Sequence, residues 1–65
     1  MKTRETVWVT VTVRALTAKA ALLWNGHRSA WIPRSQILDS EDDLAVAVAT
    51  NVELPLWLAE EGGLV

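Results

Sequence analysis

The chain predicts a mainly β fold: a small SH3-like barrel or a strongly bent antiparallel sheet of four to five strands, closed by a short C-terminal helical turn. Three observations carry this. Residues 6–14 alternate strictly, with Val7, Val9, Val11 and Val13 on one parity and Trp8, Thr10, Thr12 and Arg14 on the other. Such alternation of β-branched residues is the pattern of a half-buried strand. Asn25-Gly26 divides two apolar runs, the signature of a β-hairpin. Pro55 opens an apolar stretch that Gly62-Gly63 closes, which reads as one or two helical turns.

The first strand is expected to turn its valines to the core, leaving Trp8 on a threonine-lined outer face. The hairpin spans 19–24 and 27–32. A two-residue type I′ loop at Asn25-Gly26 pairs Trp24 with His27, Leu22 with Ser29 and Ala20 with Trp31. Opposed residues share a face. One face then holds Ala20, Leu22, Trp24, His27, Ser29 and Trp31; the other holds Lys19, Ala21, Leu23, Arg28, Ala30 and Ile32. The face with Leu22 and Trp31 has the larger apolar area and is expected to point inward. Pro33 ends the strand because it has no N–H for the ladder. Ser35 is placed to cap a short turn over Gln36, Ile37 and Leu38. Asp39-Ser40-Glu41-Asp42-Asp43 reads as a solvated acidic loop. In 44–54, Leu44, Val46, Val48, Val52 and Leu54 share a parity, as in a strand, although the alanines at 45, 47 and 49 are also compatible with helix. Leu54, Trp57, Leu58 and Leu64 are expected to form the buried side of the terminal turn.

With 65 residues, the chain is expected to form one domain, 1–65, with 1–4 and 62–65 as loose ends. It contains no cysteine, so neither a disulfide nor a thiolate metal site staples the core. The formal net charge of −2 argues against a general nucleic-acid or anionic-membrane binder, while leaving room for a local basic patch. No basic–apolar leader or long apolar run is present, which predicts a cytoplasmic protein without a membrane partner.

The aromatic inventory is unusual: four Trp, no Phe and no Tyr. An indole is large, and its N–H requires a partner when buried. Four exceed what so small an interior can cover, so at least one is expected at a surface or against another chain. Catalysis is not expected. His27 is the sole histidine, no cysteine accompanies it, and neither Ser29 nor Ser35 sits in a strand–turn–helix elbow. No metal or cofactor site is expected either, since the acidic run lacks the spacing of a calcium loop.

Two candidate surfaces remain. Trp24, His27, Arg28, Trp31 and Arg34 place two indoles, an imidazole and two guanidinium groups within eleven positions. Guanidinium forks match phosphates and carboxylates, and indoles stack on bases, so this chemistry suits a partner protein, a nucleotide-like ligand or a single strand. Trp8, Thr10 and Thr12 form a second patch suited to packing against another copy in a homo-oligomer.

Ala-Trp-Ile-Pro-Arg-Ser-Gln-Ile at 30–37, Glu-Leu-Pro-Leu-Trp-Leu-Ala-Glu-Glu-Gly-Gly-Leu at 53–64 and Lys-Ala-Ala-Leu-Leu at 19–23 together resemble short β proteins encoded by bacteriophages and prophages. In these, a Trp-Ile-Pro-Lys/Arg-Ser-Gln turn follows a hairpin, and a Pro-x-Trp-Leu-Ala helical turn ends the fold. Taken with the indole surplus and the missing catalytic set, the resemblance points to a non-enzymatic, oligomeric binding protein in the host cytoplasm. It would inhibit a host defence factor by binding a protein or sequestering a nucleotide-like signal. The alternatives are a single-stranded nucleic-acid accessory protein and a structural subunit of a larger phage or bacterial complex.

Overall fold

The computed structural model describes residues 5–65. In chain order the elements are β1 (Thr6–Leu16), β2 (Ala20–Trp24), β3 (Ser29–Pro33), a 3₁₀ turn (Arg34–Gln36), β4 (Asp39–Ser40), β5 (Ala49–Pro55) and α1 (Leu56–Glu61). The strands form one antiparallel sheet in the order β3-β2-β1-β5-β4. This is the bent-sheet alternative of the expected fold, and the sheet does not close into a barrel.

The bend follows from chain lengths. Pro33 pairs with Ala20 beyond the Leu16 end of β1, whereas Asp39 pairs with Glu53, which pairs with Trp8. In a flat sheet those two points would lie about 30 Å apart, from strand spacings of ~4.8 Å and a rise of ~3.3 Å per residue. Six residue steps reach ~21 Å at most, and the 3₁₀ turn shortens them further. The sheet must therefore fold across β1, so that β2–β3 and β5–β4 wrap toward each other. The fold line carries a β-bulge: Val13 pairs with Leu23, but Ala15 pairs with Leu22, leaving Arg14 as the extra residue. A bulge bends its strand and increases the local twist.

The core lies on the concave side. Val9, Val11 and Val13 of β1 meet Ala21 and Leu23 of β2, Ile32 of β3, Val52 and Leu54 of β5, and Ala59 and Leu64 of the C-terminal segment. Leu16, Ile37, Leu44 and Leu58 pack at its margin. Each fully buried Val, Leu or Ile contributes roughly 1.5–3 kcal/mol. The valine parity of β1 is as expected. The hairpin faces are not: Ala21, Leu23 and Ile32 point inward, while Leu22 is half-buried and Trp31 is outside. Larger apolar area does not decide the matter, because Leu23 is fixed directly opposite Val13 and must share its face.

The hairpin loop also differs from the expected one. Trp24 pairs with Ser29, Leu22 with Trp31 and Ala20 with Pro33. The loop is centred on Gly26-His27, with positive φ at Gly26 alone, the pattern of a type II′ turn. Asn25 causes the shift. Its Oδ1 accepts the amides of His27 (2.9 Å) and Arg28 (2.8 Å), and its own amide donates to the Arg28 carbonyl at 3.0 Å. An Asx side chain used this way replaces a backbone turn.

The remaining corrections are local. The 3₁₀ turn begins at Arg34, with Pro33 before it and no cap from Ser35. The acidic segment contributes the short edge strand β4. Only Ala49–Pro55 is strand in the 44–54 stretch; residues 44–48 form a loop with Ala47 at φ 72. That loop binds back to β1, the Ala47 amide donating to the Val13 carbonyl (2.7 Å) and the Val13 amide to the Val48 carbonyl (3.0 Å). Pro55 precedes α1 instead of opening it.

Residues 62–64 are docked, and Val65 is exposed. The Leu64 amide donates to the Ala59 carbonyl at 2.8 Å, and its side chain is buried. Gly62-Gly63 does more than end the helix. A Cβ on Gly62 would stand 2.9 Å from Ala30 Cβ, and one on Gly63 would stand 2.5 Å from Arg28 Cδ. Asn25 Nδ2 adds a hydrogen bond to the Gly63 carbonyl at 3.1 Å. The expected loose start, residues 1–4, lies outside the described residues.

Candidate binding surface

None of the four indoles is in the buried core, which is built from Val, Leu, Ile and Ala. Trp8 is 48% and Trp31 53% exposed; Trp24 and Trp57 are half-buried. Three of them, Trp8, Trp24 and Trp31, lie on the convex outer face of the sheet. Their parity follows from the register: Trp8 opposite Glu53, Trp24 opposite Thr12 and Ser29, and Trp31 opposite Leu22.

The fold across β1 divides this face in two. On the β2–β3 side, Trp24 and Trp31 are diagonal neighbours across the strand pair, ~7–8 Å apart at the backbone. Leu22 lies directly opposite Trp31 on the same face. Arg14, the bulge residue, places its Cζ 4.2 Å from the centroid of the Trp24 ring. On the β5–β4 side the face is polar around Trp8. The Thr6 hydroxyl donates to Glu53 Oε2 (2.8 Å), the Thr10 hydroxyl to Asn51 Oδ1 (2.5 Å), and Asn51 Nδ2 to Glu41 Oε1 (2.9 Å). Thr12 pairs with both Trp24 and Ala49 and joins the two halves.

The five residues that cluster in sequence do not form one site. Trp24 and Trp31 share the outer face. His27 stands exposed at the tip of the turn. Arg28 lays its aliphatic stem along Gly63, on the C-terminal side of the hairpin. Arg34 is at the far end of β3, where its Nη1 donates to the Thr17 carbonyl at 3.3 Å and its amide to the Lys19 carbonyl at 2.7 Å. Arg14, which lies outside the sequence cluster, is a further partner of this surface. Its outward parity on β1 was visible, but its position beside Trp24 depends on the bulge.

The edge of β3 is also part of this surface. Asn25–Arg28 and Lys19–Arg34 are hydrogen-bonded pairs, so the alternation of an antiparallel ladder turns the backbone groups of Ser29, Trp31 and Pro33 away from β2. Pro33 thus stands where its missing N–H would face solvent, a usual way of blunting an edge.

Among the described residues the surface has no cavity, and no group of three or more His, Asp or Glu gathers in a metal-binding arrangement. No helix among them is long and apolar enough to cross a membrane. What the arrangement offers chemically is a shallow aromatic platform with one guanidinium held against it. No protein-family model matches the chain, and comparison with curated proteins and with solved structures finds no match.

Proposed function

We propose that this protein is a non-enzymatic binding module whose working surface is the outer, convex face of the sheet. One observation carries the reading: the interior excludes every tryptophan, and three of the four lie on one side of the sheet. Exposed indoles leave apolar area in water, and contiguous apolar surface is characteristic of interaction sites. The resemblance of 30–37 and 53–64 to phage-encoded proteins supports a host component as the target, with inhibition of a host factor as the outcome. The absence of a second histidine and of any cysteine from the sequence supports a role without catalysis.

The test is affinity capture from host cytoplasm with the wild type and with a Trp8→Ser/Trp31→Ser double variant. Both positions are exposed, so the variant is expected to fold. Protein or nucleic acid retained by the wild type and lost by the variant supports the reading; an identical set from both overturns it.

A further inference from the structure

The net charge of −2 conceals a strong segregation. Residues 6–38 contain no Asp or Glu, yet hold Arg14, Lys19, Arg28 and Arg34. The acids lie at 5, 39–43, 53, 60 and 61. Folding turns this pattern into geometry. β2, β3 and their connecting turns carry cations alone, with Trp24 and Trp31 on their outer face; Glu60 and Glu61 of α1 adjoin them on the inner-parity side, where Gly62 and Gly63 abut Ala30 and Arg28. β4, its loop and β5 form an acidic half, with Asp39, Glu41 and Glu53 flanking Trp8. The field at a surface follows its local charges over about a Debye length, ~10 Å, and the net charge of the chain says little about it.

We propose that the β2–β3 half of the outer face binds single-stranded nucleic acid, with Trp31 and Trp24 stacking on bases and Arg14, Lys19 and Arg34 meeting phosphates. This rests on the outer face being the working surface and names the ligand of one half of it. The cations stand at the two ends of the platform, the Lys19–Arg34 pair lying one step past Ala20–Pro33 at the end of the hairpin. Arg14 lies on the Trp24 ring, at the β1 side. Arg34 reaches the Thr17 carbonyl, which brings its guanidinium to the same β1–β2 turn that holds Lys19, beyond the Pro33–Ala20 pair. From Trp24 to Ala20 is four residues of strand, ~13 Å. Two neighbouring indoles thus lie between cations at either end of a track a few nucleotides long. Stacking platforms flanked by positive charge are how single strands are held without sequence readout. Arg14 and Arg34 each spend one interaction on the protein and keep further N–H donors in a planar fork that fits phosphate.

Shape selects among anionic ligands. A free nucleotide is normally held in a concave pocket that buries most of it, whereas this surface has no cavity among the described residues. An open, convex platform suits an extended chain that makes several shallow contacts. A duplex hides its base faces inside the stack and gives the indoles nothing to stack on. The acidic half repels the strand and confines it to β2–β3.

The test uses the full chain and a labelled short oligothymidylate at low salt, with inorganic polyphosphate of similar charge and thymidine monophosphate as comparison probes. The expected result is binding of the oligonucleotide with a log–log salt slope of about −2, from three phosphate contacts at ~0.7 each. Polyphosphate and the mononucleotide bind far more weakly. Trp31→Ala weakens oligonucleotide binding by roughly tenfold to a hundredfold. Arg14→Gln flattens the slope by about 0.7. Circular dichroism and melting confirm that both variants fold. The proposal is overturned by any of three outcomes: absence of binding at low salt, equal affinity for polyphosphate, or indifference to Trp31→Ala. It is likewise overturned if the protein associates with itself and buries Trp31 so that the oligonucleotide is excluded. Loss of the oligonucleotide result alongside face-dependent capture of a host protein removes only the ligand; face-independent capture removes the surface itself.

Discussion

Arg14 lies over the indole of Trp24, its Cζ 4.2 Å from the ring centroid. The contact exists because Arg14 is the extra residue of the bulge and its strand neighbour Thr12 pairs with Trp24. One residue therefore bends the sheet, supplies the charge of the aromatic patch and orients one of its rings. At this exposed site Arg14→Ala is expected to cost about 0.5–1 kcal/mol. A double-mutant cycle with Trp24→Leu, read by chemical denaturation, should recover a coupling of that size, and a coupling near zero would show the stacking to be incidental.

Leu22 and Leu23 are adjacent but face opposite sides of β2. Leu23→Ala should destabilise by about 2–5 kcal/mol, because it opens a cavity beside Val13 and Ile32. Leu22→Ala should cost much less, since the side chain is only half-buried. Urea melts of the two variants check the order, and the reverse order would mean the hairpin faces are inverted.

Gly62 has an ordinary helical φ of −81, so alanine there is not strained by its backbone. Its Cβ would meet Ala30 Cβ at 2.9 Å. Gly62→Ala should therefore cost about 1–3 kcal/mol through overpacking of the docked C-terminal turn. The companion change Ala30→Gly removes the clash and should restore part of the loss, measured as the non-additive term between the single and double variants.

Asn25 acts through both ends of its amide. Asn25→Asp keeps the acceptor for the His27 and Arg28 amides but removes the donor to the Gly63 carbonyl; Asn25→Ala removes both. Aspartate should cost about 1 kcal/mol and alanine about 1–3 kcal/mol, from the usual worth of a hydrogen bond and of unpaired polar groups. Equal melting temperatures for the two variants would contradict the double role.

Ala47 has a φ of 72 without being glycine. A left-handed alanine carries about 1–2 kcal/mol of strain, whereas glycine adds about 0.4–1 kcal/mol of unfolded-chain entropy. Ala47→Gly is thus expected to be neutral to stabilising by up to about 1.5 kcal/mol, the reverse of the usual effect of glycine. A clear drop in thermal stability would place the strain elsewhere.

Much of this architecture could be read from residue order, because strand parity is a local property. The valine face of β1, the division of the hairpin into two sets of alternating residues, the terminal turn after Pro55 and the surplus of indole over interior were all legible. The hairpin sets even survived a wrong loop. Moving the turn from Asn25-Gly26 to Gly26-His27 slides β3 by two residues relative to β2 and leaves every parity unchanged. The limits of β5 were less legible, because Leu44, Val46 and Val48 continue its parity through a stretch whose backbone instead turns at Ala47 to bind Val13.

Sequence alone determined which residues travel together on a face, since that depends only on the two-residue repeat of an extended chain. Which face went inside was decided by tertiary structure, when Leu23 was set opposite Val13 and Trp31 was left on the outer side. The small aliphatic interior fills with Val, Leu and Ile, and a bulky ring with a polar N–H is better placed outside. The site was likewise a tertiary product: the bulge at Arg14 and the fold across β1 brought a cation to Trp24, left His27 at the turn tip and Arg28 against Gly63, and placed Arg34 beside Lys19 at the far end of the hairpin.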